Sequence, residues 1–463
     1  MFNKQVYINR REKLKAEMNS GLVVILGNVD AAFNYPGNQY HFRQDSNFLY
    51  FFGLDMAGLA GVIDIDNNKE YIFGNDVTMD DVIWMGDQPT IKELGAQVGV
   101  EKTMPFAEIK KFVQKEKFLG RKIHTYPTYR GEQVLQLANI LDVDNKQINE
   151  FVSQELIQTT VKLRSVKEDV EIEEIEKAVD TAYEMHTTAM KMARVGVVEQ
   201  EIAGTIEGIS LAKGGAVSFP IILSMNGQTL HNHYHGNILE EGRMMITDAG
   251  SERPSHYCSD ITRTVPVGGK FNQRQKDIYE IVLAANMKAI SAAKPGITNK
   301  ELHMMAVTIL ATGLKDLGLM KGDVDEAVRQ GAHAVFMPHG LGHMMGLDVH
   351  DMEGLGEDNV GYNDVIKRSS QFGLGGLRLG RELEKGFVFT VEPGCYFIPK
   401  LLDQWKSENK FTEFLNYDKI ESFKDFGGIR IEDDILVTET AHKVLGKPIP
   451  KTVAEVEAMM NMK

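Results

Sequence analysis

Gly427-Gly428-Ile429-Arg430-Ile431-Glu432-Asp433-Asp434 decides how this chain is read. Strand alternation puts Ile429 and Ile431 on one face and Arg430 and Glu432 on the other. A charged face on an otherwise apolar strand is costly to bury unless it is paired or binds a metal. Three more carboxylates stand at similar places upstream. Asp248 ends the apolar run Met244-Met245-Ile246-Thr247 and precedes Ala249-Gly250. Asp260 opens the β-type segment Ile261-Thr262-Arg263-Thr264-Val265. Glu392 follows Phe387-Val388-Phe389-Thr390-Val391 and precedes Pro393-Gly394.

The histidines gather near these acids. His339-Gly340-Leu341-Gly342-His343 sets two imidazoles four residues apart, and His350 follows seven later. Two glycines in that stretch predict a loop or strand rather than a helix, and no Glu follows the first His as a zincin requires. His231-Asn232-His233-Tyr234-His235 adds three more. Four carboxylates with one or two imidazoles form a hard, oxygen-rich donor set. It suits two ions of Mn²⁺, Co²⁺, Fe²⁺ or Zn²⁺ and nearly balances their charge. Two such ions about 3.5–4 Å apart acidify a shared water, so hydrolysis of a carbonyl or phosphoryl compound is the natural chemistry. Neither a GxSxG elbow nor a Walker A loop competes with this reading.

Composition narrows the classes. The 463 residues are 43% hydrophobic and 25% charged, the balance of a soluble globular protein. Against 65 acidic residues stand 51 basic ones, a net charge of −14, which argues against nucleic acid or an anionic membrane as partner. No run of 18 apolar residues predicts a transmembrane helix, and Met1-Phe2-Asn3-Lys4-Gln5-Val6 lacks the apolar core of a signal peptide. Cys258 and Cys395 are the only cysteines, which excludes a disulfide scaffold or a thiolate zinc site; the expected compartment is the cytoplasm. Both cysteines read as small buried residues.

The chain to about residue 155 reads as mixed α/β. Gly21-Leu22-Val23-Val24-Ile25-Leu26-Gly27 predicts a buried strand, and Gly61-Val62-Ile63-Asp64-Ile65-Asp66 predicts a strand that turns at Asn67-Asn68 toward Tyr71-Ile72-Phe73. Ser165-Val166-Lys167-Glu168 matches a capping box. Ile175, Ala178, Val179, Ala182 and Met185 follow at helical spacing, and Gly196 ends the pattern. Thr298-Asn299-Lys300-Glu301 is a second box after the Pro295-Gly296 break. The expected architecture is an α/β N-terminal domain, residues 1–160, and a larger α+β domain, residues 161–463.

Taken together, Asp248-Ala249-Gly250, Ser259-Asp260-Ile261-Thr262-Arg263-Thr264, His339 to His343, Val391-Glu392-Pro393-Gly394 and Arg430 to Asp434 resemble the five ligand motifs of the pita-bread metallopeptidases. The sequence is most similar to their Xaa-Pro group, aminopeptidase P and prolidase. Phe42-Arg43-Gln44-Asp45-Ser46-Asn47-Phe48 and Leu163-Arg164-Ser165-Val166-Lys167 extend the resemblance over nearly the whole chain. The resemblance implies a pita-bread catalytic domain. It implies that Asp248, Asp260, His343, Glu392 and Glu432 ligate two metal ions, most often manganese, with Asp260 and Glu432 bridging. It further implies that Glu392 shuttles the proton to the leaving imino nitrogen, that His339 and His350 hold substrate and oxyanion, that His231 lies on a substrate-side loop, and that Arg430 orients ligands. Trp84 resembles an aromatic supplied by the N-terminal domain, often to a neighbouring subunit of a homo-oligomer. The substrate is a peptide whose second residue is proline, a ring that blocks ordinary aminopeptidases by fixing φ and removing an N–H.

Two departures stand out. Asp248 and Asp260 are 12 residues apart, one more than is usual in the family, which predicts an altered turn within Glu252–His256. Phe219 stands where the family often has a tyrosine. Gly375-Gly376-Leu377-Arg378-Leu379-Gly380-Arg381 looks like the prolidase insertion, with Arg378 where prolidases bind a free carboxylate. This leans slightly toward dipeptide substrates, beside a nearly equal reading as an Xaa-Pro aminopeptidase. A methionine-type aminopeptidase fits poorly with so large an N-terminal domain, and a non-catalytic peptide-binding module fits poorly with five intact ligand positions.

Overall fold

Leu22-Val23-Val24-Ile25-Leu26 forms strand β1 (Leu22–Leu26), and all five residues are buried, as its unbroken apolar run requires. The computed structural model describes residues 1–462. β2 (Ala60–Asp64) pairs antiparallel with β1. β3 (Lys69–Gly74) is the expected hairpin partner, with Val62 opposite Tyr71. Asn68 turns that hairpin at φ 49°. β4 (Lys102–Pro105) and β5 (Ile123–His124) add parallel neighbours, giving the order β4-β3-β2-β1-β5. The helices Glu108–Phe118 and Gly131–Leu141 contribute Ile109, Val113, Leu137 and Leu141 to one core with Val24 and Val62. These elements belong to one compact unit, residues 1–164 with 354–359.

A second unit comprises residues 165–353 and 360–463. The helix Asp169–Met192 opens it, and Ile175, Ala178, Val179, Ala182 and Met185 are buried as their spacing predicts. Its cap differs from the expectation. Glu168, not Ser165, is the N-cap, and its N–H donates to Glu171 Oε2 at 2.8 Å. Ser165 ends the preceding helix, and its hydroxyl accepts from Arg381 Nη2 at 2.8 Å. A Ser-x-x-Glu match is local, and the guanidinium of a residue 216 positions away claims the serine. The second box holds: Thr298 caps the helix Asn299–Asp316, its N–H donating to Glu301 Oε2 at 2.8 Å.

Three short sheets carry the strand-end acids. β6 (Ile222–Ser224), β7 (Met244–Ala249) and β8 (Ile261–Pro266) run in the order β8-β7-β6. β9 (Val388–Val391), β12 (Asp433–Val437) and β13 (His442–Val444) form a second, antiparallel sheet. β10 (Gly394–Tyr396) and β11 (Gly428–Arg430) form a third. The β7–β8 hairpin pairs Asp248 with Thr262 and continues in the same register to Glu252 and Cys258. The turn then closes on three residues. Arg253 N–H donates to Tyr257 O at 2.9 Å, His256 N–H donates to Arg253 O at 2.7 Å, and His256 takes φ 68°. A turn followed by one left-handed residue is a standard three-residue hairpin. It accommodates the 12-residue spacing without a bulge, and the even spacing leaves Asp248, Asp260 and Thr262 on one face. Among the described residues, no helix is long and apolar enough to cross a membrane.

Candidate metal centre and substrate cleft

The five expected ligands come from five backbone segments that meet at the ends of these sheets. Asp248 lies in β7, Asp260 just before β8, Glu392 just after β9, and Glu432 in the break between β11 and β12. His343 sits in the loop before β9, as its glycines predict. His343 N–H donates to Thr390 Oγ1 at 3.1 Å, and Thr390 N–H donates to His343 O at 3.0 Å. Gly342 permits this approach, since a Cβ there would lie 1.9 Å from Thr390 O. Glu392 N–H donates to Leu341 O at 2.8 Å, and Asn286 Nδ2 holds Val391 O at 3.0 Å.

Ligand-capable atoms of Asp248, Asp260 and Glu432 lie within 4.8 Å of one another, as do those of His343, Glu392 and Glu432 and those of Asp260, His343 and His350. His343 Nε2 stands 3.4 Å from Asp260 Oδ2 and 3.8 Å from Glu392 Oε1. Its Nδ1–H donates to Met344 O at 3.1 Å, which leaves the Nε2 lone pair facing the carboxylates.

The sequence Glu432-Asp433-Asp434 divides its three charges. Glu432 faces the cluster. Asp433 binds Arg263 at 2.7 Å and Lys451 at 2.6 Å, and these cations overcome its burial and hold it below the usual range. Asp434 Oδ2 accepts from Asp260 N–H at 3.0 Å.

Burial, then the charges of Asp248, Asp434 and Glu392, raises the Asp260 carboxyl well above its ordinary range. Burial, then Asp260, Glu392 and Asp248, does the same to Glu432. Glu392 is pushed up to about 7, chiefly by burial, while His343 and Arg430 oppose the shift. Asp248 Oδ1 and Asp260 Oδ1 are buried and bonded to nothing. Four carboxylates facing one guanidinium leave a deficit of positive charge, and oxygen donors with one imidazole fit hard divalent cations. The residues present therefore fit a metal centre.

Arg430 supplies a buried cation at the cluster itself. Nη2 donates to Asp248 Oδ2 at 2.5 Å, Nε to Thr262 Oγ1 at 3.1 Å and Nη1 to the Tyr396 hydroxyl at 2.7 Å. Thr262 Oγ1 in turn donates to Glu432 Oε2 at 2.7 Å. Removing one member of a buried pair costs far more than the pair contributes. Arg430→Met is expected to lower unfolding free energy by about 3–5 kcal/mol in a urea titration. A loss below about 1 kcal/mol would show that Asp248 does not depend on Arg430.

A cleft of about 640 Å³ opens over the five ligand positions and Arg430. His231, His339, His350, Arg378 and Phe219 line it. His339 has both ring nitrogens engaged: Nδ1 donates to Gly340 O at 2.7 Å, and Nε2 accepts from the Tyr396 hydroxyl at 3.0 Å. Burial, aided by Arg430, lowers His339 to about 3 and keeps it neutral. His350 stacks edge-on against His343 at 4.1 Å, and its Nδ1 lies 3.3 Å from Glu353 Oε2. Arg378 Nη1 pairs with the same Glu353 oxygen at 2.5 Å. Trp84 belongs to the other unit. It stands 79% exposed on the helix Met79–Met85, so it is not core packing there. Cys258 and Cys395 are buried, and burial pushes the Cys395 thiol up.

Sequence reasoning missed Tyr396, Thr262, Asp434 and Glu353. Tyr396 had one legible signal: it lies two residues after Gly394, which pairs with Arg430, and so falls on the face of Arg430.

A cleft floored by four carboxylates and an imidazole defines a metal-dependent hydrolase. The chain belongs to metallopeptidase family M24, whose model matches residues 173–439, and residues 7–124 match the aminopeptidase P N-terminal domain. The catalytic unit has the pita-bread fold of that family. The chain is 32% identical to the Xaa-Pro dipeptidase of Homo sapiens, over 99% of this chain and 92% of that protein. It is 31% identical to a probable Xaa-Pro aminopeptidase of Aspergillus clavatus, over 90% and 88%. Among solved structures, Zn-substituted Escherichia coli aminopeptidase P in complex with product matches at 29% identity and TM-score 0.81, covering 99% of this chain and 98% of that one.

Proposed function

We propose that this protein is an exopeptidase that hydrolyses the bond between an N-terminal residue and proline, using two divalent cations. The observation that carries this reading is the convergence of Asp248, Asp260, His343, Glu392 and Glu432 beneath a cleft whose wall bears Arg378. These five would hold the ions. When bound, the ions polarise the scissile carbonyl and lower the pKa of water. Manganese is the proposed native metal.

The chain's own groups do the rest. Arg430 fixes Asp248 and, through Thr262, Glu432, so the ligand oxygens keep their positions. Glu392 passes a proton to the departing imino nitrogen of proline. His350 and His231, both lowered chiefly by burial, are the proposed partners of the peptide and its developing oxyanion. His339 contributes by exchanging its Tyr396 bond for one to substrate. Arg378 receives the carboxylate of a dipeptide, which supports a slight lean to Xaa-Pro dipeptides over longer peptides.

The proposed domain boundary is at residue 160. A homo-oligomer would let the exposed Trp84 wall a neighbouring copy's cleft. Light scattering tests this, and a monomer near the chain mass of 51.8 kDa would contradict it. The proposed compartment is the cytoplasm.

A paired assay with added Mn²⁺ tests the substrate reading: proline released from Ala-Pro against alanine released from Ala-Pro-Pro. Turnover of both is expected, with the dipeptide faster. Turnover of neither overturns the proposal.

A further inference from the structure

The cleft wall carries a charge that the metal chemistry does not use. Glu353 lies ten residues beyond His343, within the same unit. Its Oε2 accepts a hydrogen bond from Arg378 Nη1 at 2.5 Å and faces His350 Nδ1 at 3.3 Å. Its Oε1 is buried and makes no hydrogen bond. Burial pulls the carboxyl up, but the hydrogen bond of His350 and the charge of Arg378 prevail and hold Glu353 below the usual glutamate range. The glutamate and arginine side chains are only 17% and 33% exposed, so water screens the pair incompletely.

We infer that Glu353 is a specificity-determining residue that masks Arg378 and sets how strongly the cleft prefers a peptide ending in a free proline carboxylate. The inference rests on the Xaa-Pro reading and deepens it. A dipeptide carboxylate that approaches Arg378 gains its attraction but also meets the negative charge of Glu353 a few ångströms away. The two nearly cancel. A longer peptide brings a neutral amide to the same place and feels neither. The bound glutamate thus narrows the advantage that Arg378 alone would give a dipeptide, and it keeps a cleft with a dipeptidase-like arginine open to longer chains. Recognition that depends on a difference in affinity is tuned as much by the repulsive partner as by the attractive one.

The test compares kcat/KM for Ala-Pro with that for its neutral analogue, Ala-Pro amide. In Glu353→Gln, which keeps the shape and removes the charge, the Ala-Pro over Ala-Pro amide ratio is expected to rise about tenfold, through KM for the acid. Arg378→Gln alone should lower the ratio, and adding Glu353→Gln to it should restore the ratio toward the wild-type value, since the two charges nearly cancel. A role confined to holding the loop would move both substrates together and leave the ratio flat. If Glu353→Gln does not fold, Glu353→Asp draws the carboxylate back from Arg378 and should raise the ratio about threefold. An active enzyme whose ratio stays flat or falls in either single Glu353 variant overturns this inference alone. A wild type that turns over neither substrate overturns the Xaa-Pro reading and this inference with it.

Discussion

Glu392→Ala is expected to reduce kcat on Ala-Pro by about 10³-fold or more, with little change in thermal stability at pH 5. General acid–base groups contribute in this range when positioned on the reacting atoms. Glu392 lies on the floor of the cleft, 3.8 Å from His343 Nε2 through one oxygen and 3.9 Å from His339 Nδ1 through the other. Leu341 O fixes its backbone N–H and Asn286 fixes the strand before it, so the backbone that carries its carboxylate is held in place. It is also a proposed ligand, and metal analysis separates the two roles. Loss of a ligand alone scales with the metal lost and is restored by excess Mn²⁺. Loss of the proton carrier persists at full metal occupancy. A variant within tenfold of wild type under saturating Mn²⁺ would sink the assigned role.

The clustered side chains were legible because they put charge where a fold otherwise avoids it. Asp248, Asp260 and Glu392 interrupt runs that are buried throughout, and Glu432 sits between the buried Ile431 and β12. The loop before β9 was legible for a related reason: Gly340 and Gly342 cannot carry a Cβ against Leu377 and Thr390, and the sequence shows both glycines beside the histidines. What escaped depends on long-range partners. Nothing local to Tyr396 announces that its hydroxyl joins Arg430 to His339. Asp434 is one of three consecutive acids, and only the fold shows that one faces the cluster, one meets Arg263 and Lys451, and one holds the Asp260 backbone. Ser165 was misread because its motif is local and Arg381 is not. The 12-residue spacing announced a different turn, but the left-handed His256 that closes it became visible only with the register of β7 and β8.

Stripped of divalent cations, the protein is expected to lose thermal stability as pH rises from 7 to 8, above the range in which its buried histidines titrate in the unfolded chain. The sign follows from three carboxyls. Asp260 and Glu432 are held well above the ordinary carboxylate range, and Glu392 is held to about 7. In an unfolded chain, such groups release their protons near pH 4. Between that pH and the folded values the native state binds more protons than the unfolded one, so its stability falls as pH increases. Below pH 4 the contribution is whole. For Glu392 alone, a rise from an ordinary glutamate to about 7 corresponds to about 3 kcal/mol lost across this window. A divalent cation replaces the protons and adds stability by mass action on the native state. Added Mn²⁺ should therefore raise Tm far more at pH 8 than at pH 5, where it competes with bound protons. Differential scanning calorimetry of the chelated and reloaded protein at pH 5, 7 and 8 reads this without any assay of turnover. A chelated protein whose Tm is flat or rises between pH 7 and pH 8 would mean that these carboxyls do not confront one another as their positions require.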